Sequence, residues 1–95
     1  MTARITLDQW RALVAVVDAG GYGQAAELIH KSQSTVTYAV QKIELLLGWR
    51  AFEIRGGKEQ LTPAGATLYR RARTLLEEAE ALERGARSMA QGWAP

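Results

Sequence analysis

Apolar positions along this chain fall into four stretches of helical period, with one short extended stretch between the third and the fourth. In the first, Leu7, Trp10, Leu13, Val14 and Val17 recur at steps of three and four residues, the spacing of one buried helix face. Thr6 followed by Gln9 forms a capping-box signature that predicts a start at Leu7, and Gly20-Gly21 predicts the end. A second, short helix is predicted from about 23 to 30, with Ala25, Ala26 and Ile29 facing inward. The paired alanines imply close approach of a neighbouring helix backbone. Ser32 is a good N-cap for a third helix, whose inner stripe is Val36, Val40, Ile43 and Leu47. Gly48 predicts its left-handed C-cap, with Trp49 folding back onto Leu45 or Leu46.

"AFEIRGGKEQLT" then places a Gly56-Gly57 turn with basic flanks between two short runs, the pattern of a small β-hairpin. Thr62 as N-cap and Pro63 at the first helical position start a fourth helix. Here Leu68, Ala72, Leu75, Ala79, Leu82, Ala86 and Met89 alternate strictly by four and three, the seam that a coiled coil offers to a partner. From Pro63 to Gln91 this helix would span roughly 43 Å, more than the rest of the chain needs. Gly92, Trp93 and Pro95 stop it. Helix, helix, tight turn, helix, hairpin and long helix make a mainly α, winged helix-turn-helix with a coiled-coil linker helix. The corresponding units are 1–62, the winged domain, 63–92, the dimerisation helix, and 93–95, the start of a hinge.

Composition narrows the class without naming an activity. The 95 residues suffice for one domain with a modest core, and their 47 % hydrophobic and 23 % charged content is ordinary for a folded protein. No apolar run approaches the roughly 20 residues of a membrane span. The absence of cysteine excludes disulfides and thiolate metal sites and makes the cytoplasm the default home. A net charge of +2 permits a nucleic-acid partner without demanding one. His30, the only histidine, lacks partners for a metal site or a catalytic base and ends a helix, where an imidazolium can meet the dipole. No Ser-His-Asp set, phosphate loop or paired acids stand out, so neither an enzyme nor a cofactor is expected.

The third helix carries the unusual chemistry. Its first turns present Gln33, Ser34, Thr35, Thr37, Tyr38 and Gln41, uncharged donors and acceptors where a solvated face would carry Lys and Glu. A major groove admits a helix, and its base edges offer acceptors, donors and thymine methyls that amides, hydroxyls and Thr methyls can meet. A carboxylate would repel phosphate, and none occurs before Glu44. Lys31 and Lys42 are placed to meet phosphates, a salt-sensitive and sequence-independent contribution. Arg55 and Lys58, with Arg50 less directly, sit in or beside the hairpin, where an adjacent minor groove attracts cations. Ser32 serves as a cap alone.

"AAELIHKSQSTVTYAVQKIELLLG" (Ala25 to Gly48), Phe52 and "LTPAG" (Leu61 to Gly65), in this order and spacing, resemble the DNA-binding domain of LysR-type bacterial transcriptional regulators over nearly the whole chain. Molybdate-responsive regulators have a similar winged domain and an L-T-x-A-G-like stretch, but "SQSTV" and "IELLLG" suit the LysR type better. The resemblance implies base and backbone contacts at Gln33, Ser34, Thr35, Thr37 and Tyr38. It also implies an effector-binding domain, absent from this chain, which is then a fragment or a naturally short relative. Where the family usually has Ser-Phe-Thr ahead of the paired alanines, this chain has Gly21, Tyr22 and Gly23. The family's arginine two positions after the phenylalanine is Ile54, with Arg55 next, and its usual glutamine after the variable recognition position is Ala39. At Tyr38 many relatives have arginine; a tyrosine suits a contact to backbone or a thymine methyl rather than bidentate guanine readout.

The expected partners are double-stranded DNA bearing an interrupted inverted repeat and a second copy of the chain, joined through the long-helix seam. A two-fold dimer sets two recognition helices roughly 34 Å, or a multiple of it, apart. "RRAR" (Arg70, Arg71, Arg73) decorates the exposed side of the long helix, and "EEAEALE" forms a solvated acidic face turned from DNA. The competing reading is a protein-interaction module in which the seam is the working surface and the helix-turn-helix no longer binds DNA specifically.

Overall fold

The computed structural model describes residues 3–92; the hinge expected at 93–95 lies outside the described residues. The chain folds as α1 (Leu7–Ala19), α2 (Tyr22–Ile29), α3 (Gln33–Leu47), β1 (Phe52–Arg55), β2 (Lys58–Leu61) and α4 (Pro63–Ala90). This is the predicted winged helix-turn-helix followed by a long helix. The α1 capping box closes as expected: the Thr6 hydroxyl accepts from the Gln9 backbone N–H at 3.1 Å, and the Gln9 amide oxygen accepts from the Thr6 N–H at 2.9 Å. α2 starts one residue earlier than expected, at Tyr22, and His30 ends it as a left-handed cap at φ 58°.

The expected buried stripe of α1 needs correction. Leu7 is exposed and Trp10 and Val17 are half-buried, whereas the unbroken run Ala12 to Val16 is buried. A one-sided stripe presumes a single neighbour, and α1 is touched by α2, α3 and α4. The core therefore wraps its second half, and Leu7, in the first turn, hangs beyond it. Trp49 correspondingly does not cover Leu45, which stays 73 % exposed.

Leu13, Val36, Val40 and Ile43 are the largest fully buried side chains, three of them from α3. Burial of each is worth about 1.5–3 kcal/mol, while the Val, Thr, Ser and Tyr content of α3 costs at most about 0.7 kcal/mol per residue in helix propensity. Packing therefore wins, and the helix can display a polar stripe that would not sustain it alone. Ala25 and Ala26 are buried against their neighbours, as their size predicted. Tyr22 packs on Phe52 with ring centroids 6.3 Å apart, tying α2 to the hairpin. Burial, and then the Glu59 carboxylate, push the Tyr22 hydroxyl above its ordinary range.

β1 and β2 pair antiparallel from Phe52↔Leu61 to Arg55↔Lys58. Gly56 (φ 55°) and Gly57 (φ 77°) make the two-residue turn, and positive φ at both positions matches the twist of a two-residue hairpin. Thr62 then caps α4, accepting from the Gly65 N–H at 3.0 Å while its own hydroxyl donates to the Arg50 carbonyl at 3.0 Å. Only the first part of α4 packs on the domain, through Leu68, Tyr69, Ala72 and Leu76. The Tyr69 hydroxyl donates to the Asp18 carboxylate on α1 and accepts from Arg73 at 3.2 Å. Beyond Glu80 every described residue of α4 is exposed, and the molecule is drawn out to 54 × 31 × 20 Å.

Candidate nucleic-acid interface

The free face of α3 follows from what its other face buries. With Val36, Ala39, Val40 and Ile43 inside, the opposite stripe runs Ser34, Tyr38, Gln41 and Leu45, all exposed. Gln33 is exposed at the first helical position, and Thr35 flanks the stripe in solvent. Thr37 and Lys42 are half-buried at its margins, so they offer only their outer atoms. Ala39, where the family usually has glutamine, is a core residue.

The hydroxyls at the N-terminus form a cluster rather than a set of independent groups. Ser32 Oγ accepts from the Thr35 N–H at 3.1 Å, which is the expected cap. The same oxygen lies 3.1 Å from Ser34 Oγ and 2.7 Å from Thr35 Oγ1. Each exposed hydroxyl keeps a lone pair and a rotatable proton, and the cluster fixes their positions at little entropic cost. Asp and Glu are absent from this first turn, leaving the positive end of the helix dipole open to an anion.

Lys31, Thr35 and Tyr38 converge on one cleft of about 290 Å³ between α1 and α3. Its far wall brings in Gln9, expected only as the capping-box partner of Thr6, and Arg11, not singled out from the sequence; Arg11 pairs with Asp8 at 2.5 Å. The only sequence signal for Arg11 was a basic residue on the polar side of the first helix, which is commonplace. Leu45 was also missed as a surface residue, because Trp49 was expected to fold back onto either Leu45 or Leu46.

On the hairpin, Arg55 and Lys58 face each other as the last pair before the turn and are both exposed. Like charges opposed in this way repel. Glu53 relieves them by pairing with the Arg55 guanidinium from the same strand face. Arg50, its side chain 69 % exposed, pairs with Glu44, whose Oε2 lies 3.3 Å from its Nε. The same Oε2 accepts the Ala51 N–H at 2.8 Å and the Phe52 N–H at 3.3 Å. Glu44 is thus a structural carboxylate joining α3 to the root of the hairpin, which no local pattern revealed.

The long-helix seam divides in two. Ala72, with 5 % exposure, lies in the core of its own domain, and Leu68 is half-buried beside it. These two positions have little surface left for a partner. Leu75, Leu82, Ala86 and Met89 remain exposed and Ala79 half-exposed, so the free seam is the C-terminal five of the seven. Among the described residues no group of acidic, histidine or cysteine side chains could hold a metal, and no helix is long and apolar enough to cross a membrane.

Comparison with known proteins agrees with this geometry. Residues 7–66 match the family model described as bacterial regulatory helix-turn-helix protein, lysR family. The HTH-type transcriptional regulator YhaJ of Escherichia coli is 33 % identical over 89 residues, covering 94 % of this chain and 30 % of the regulator. The chain thus spans under a third of that relative. A crystal structure of a CbnR_DBD–DNA complex superposes with a TM-score of 0.79 at 32 % identity, covering 90 % of this chain and 98 % of the other. The BenM_DBD/catB site 1 DNA complex gives a TM-score of 0.84 at 28 % identity, covering 92 % and 94 %. With the family model matched over most of its length and the fold shared with two such complexes, the chain belongs to the lysR family of bacterial regulatory helix-turn-helix proteins.

Proposed function

We propose that this chain reads specific double-stranded DNA for a cytoplasmic transcriptional regulator and does so as a homodimer. The observation that carries the reading is the exposed stripe Ser34, Tyr38, Gln41 on α3, uncharged and flanked by Gln33 and the hydroxyl cluster. α3 enters the major groove by its N-terminal half, where Gln33 and Gln41 offer amides to base edges and Tyr38 offers a ring and one hydroxyl. Ser34, Thr35 and the outer atoms of Thr37 take base or backbone contacts, and Lys31 and Lys42 take phosphates. The wing, with Arg55 and Lys58 at its tip, lies along the adjacent minor groove. Residues 1–62 form the reading unit and 63–92 the dimerisation helix. The solved relatives named as DNA complexes support the same reading.

The test is selection from random duplexes by the purified chain at low and near-physiological salt. The expected result is enrichment of an interrupted inverted repeat that persists at the higher salt. Binding without sequence preference that vanishes with salt would overturn specific reading and leave phosphate attraction alone. The free apolar seam at Leu75, Leu82 and Met89 would then favour a protein-interaction module as the function.

A further inference from the structure

The wing is a poor structure on its own. Two strands of four residues are marginal without support, and Ile54 on the core-side face of β1 is itself exposed. Its direction is therefore set near its root, where Tyr22 packs on Phe52 and the Ala51 backbone is held. That backbone is gripped from both sides. Its N–H donates to Glu44 Oε2 at 2.8 Å, and its carbonyl accepts the Thr62 N–H at 2.9 Å and the Thr62 hydroxyl at 3.3 Å. The Ala51 side chain is fully buried, and Gly65 of α4 packs so closely that a Cβ there would lie 2.1 Å from the Ala51 oxygen.

Of the three elements meeting here, only α3 holds the peptide through a single side chain. Glu44 has 13 % side-chain exposure, and one of its oxygens serves Ala51 N–H, Phe52 N–H and the Arg50 guanidinium. With 13 % side-chain exposure, this oxygen has little water to replace a lost donor, so its three bonds support one another. Glu44 also stands off the exposed stripe of α3 and does not face the groove that the stripe would enter.

We propose that Glu44 is a positioning residue that locks the wing to the recognition helix, so that Arg55 and Lys58 meet DNA in fixed register with α3. This rests on the DNA-reading function proposed above. The leverage is considerable. The wing extends about 13 Å from root to tip, so a tilt of about 20° displaces the tip by about 5 Å, further than a hydrogen bond tolerates.

The experiment compares wild type, Glu44→Ala and Glu44→Gln below the melting midpoint of each. In the free proteins, hydrogen exchange at the Ala51, Phe52 and wing amides should quicken in Glu44→Ala while the α1 and α3 core amides keep their rates. On the selected operator, Glu44→Ala should lose hydroxyl-radical protection where the wing lies and keep the major-groove protections of α3. Its affinity should fall about tenfold and its salt slope by about 1–2, the loss of the two wing cations from the minor groove. Glu44→Gln retains an oxygen for both amides and should restore wing protection. Unchanged wing exchange in Glu44→Ala would overturn the lock, as would a uniform loss across wing and α3 footprints. If wild type selects no operator, the DNA reading fails by itself, and the exchange rates still decide the lock.

Discussion

A side chain that reads a base edge must be exposed and already held in place when DNA arrives. Gln33 satisfies the first condition: it opens α3 in solvent, with its amide oxygen beside the start of α2, 3.4 Å from where a Cβ on Gly23 would stand. Gln33→Ala should weaken binding to the selected operator by about 1–3 kcal/mol and leave random duplex unaffected. Equal loss on both duplexes, in titrations at one salt concentration, would make Gln33 a positioning contact instead of a reading one. The exposed polar face of α3 was legible because periodicity fixes the buried side of a helix, and whatever lies opposite is then known by residue type. Contacts across long sequence separations were not legible. Glu44 bonds amides seven and eight residues away, across a turn whose geometry no pattern specifies, and Arg11 lines its cleft only because α1 crosses the start of α3. Leu7 failed for a related reason, since the stripe rule says which face is inward but not how far along the helix the core extends.

Elements were more legible than residues, because their ends are set by local chemistry. Thr6, Ser32 and Thr62 each cap the helix predicted from them, and the glycine pair makes the hairpin turn. The two glycines inside α4 show what local rules omit. Both should favour alanine by about 0.5–1 kcal/mol, since glycine is costly in a helix. Gly85 has open space around it, and Gly85→Ala should raise stability by about that amount. At Gly65 the new methyl would meet the Ala51 backbone carbonyl at 2.1 Å, and backbone cannot swing aside like a flexible side chain. Overpacking of this kind costs typically about 1–3 kcal/mol, which exceeds the propensity gain, so Gly65→Ala should be net destabilising. Parallel urea melts of the two variants check both signs. A stabilised Gly65→Ala would mean that the contact between α4 and the hairpin root is looser than it stands here. The glycine of "LTPAG" was recognisable by resemblance, but its reason is a close approach visible only in the fold.

At the scale of the whole molecule, α4 is longer than its own domain can use. Its first turns anchor on α1 through Leu68, Ala72 and the Tyr69–Asp18 hydrogen bond, and among the described residues nothing covers it from Ala81 onward. The seven-position seam expected from the sequence thus joins core positions to free ones, which periodicity cannot separate, since core packing and self-pairing both ask for apolar residues at helical spacing. Leu82 at 74 % exposure has no role within the domain, whereas Leu75 still borders a groove with Trp10 and Leu68. The double variant Leu75→Asp, Leu82→Asp should therefore sediment as a monomer with most of its helical content intact. Two carboxylates in an apolar seam would be desolvated without partners on dimerisation, while the cost to the free helix is only about 0.7 kcal/mol per aspartate in propensity. Leu82→Asp alone separates the effects, because it leaves the α1 groove untouched; it should weaken the dimer and preserve the melting behaviour of the domain. A double variant that stays dimeric would remove the seam as the interface. A monomer that holds its fold should bind a single half-site weakly and lose the preference for paired half-sites, since the spacing between recognition helices is set only when two copies of α4 meet.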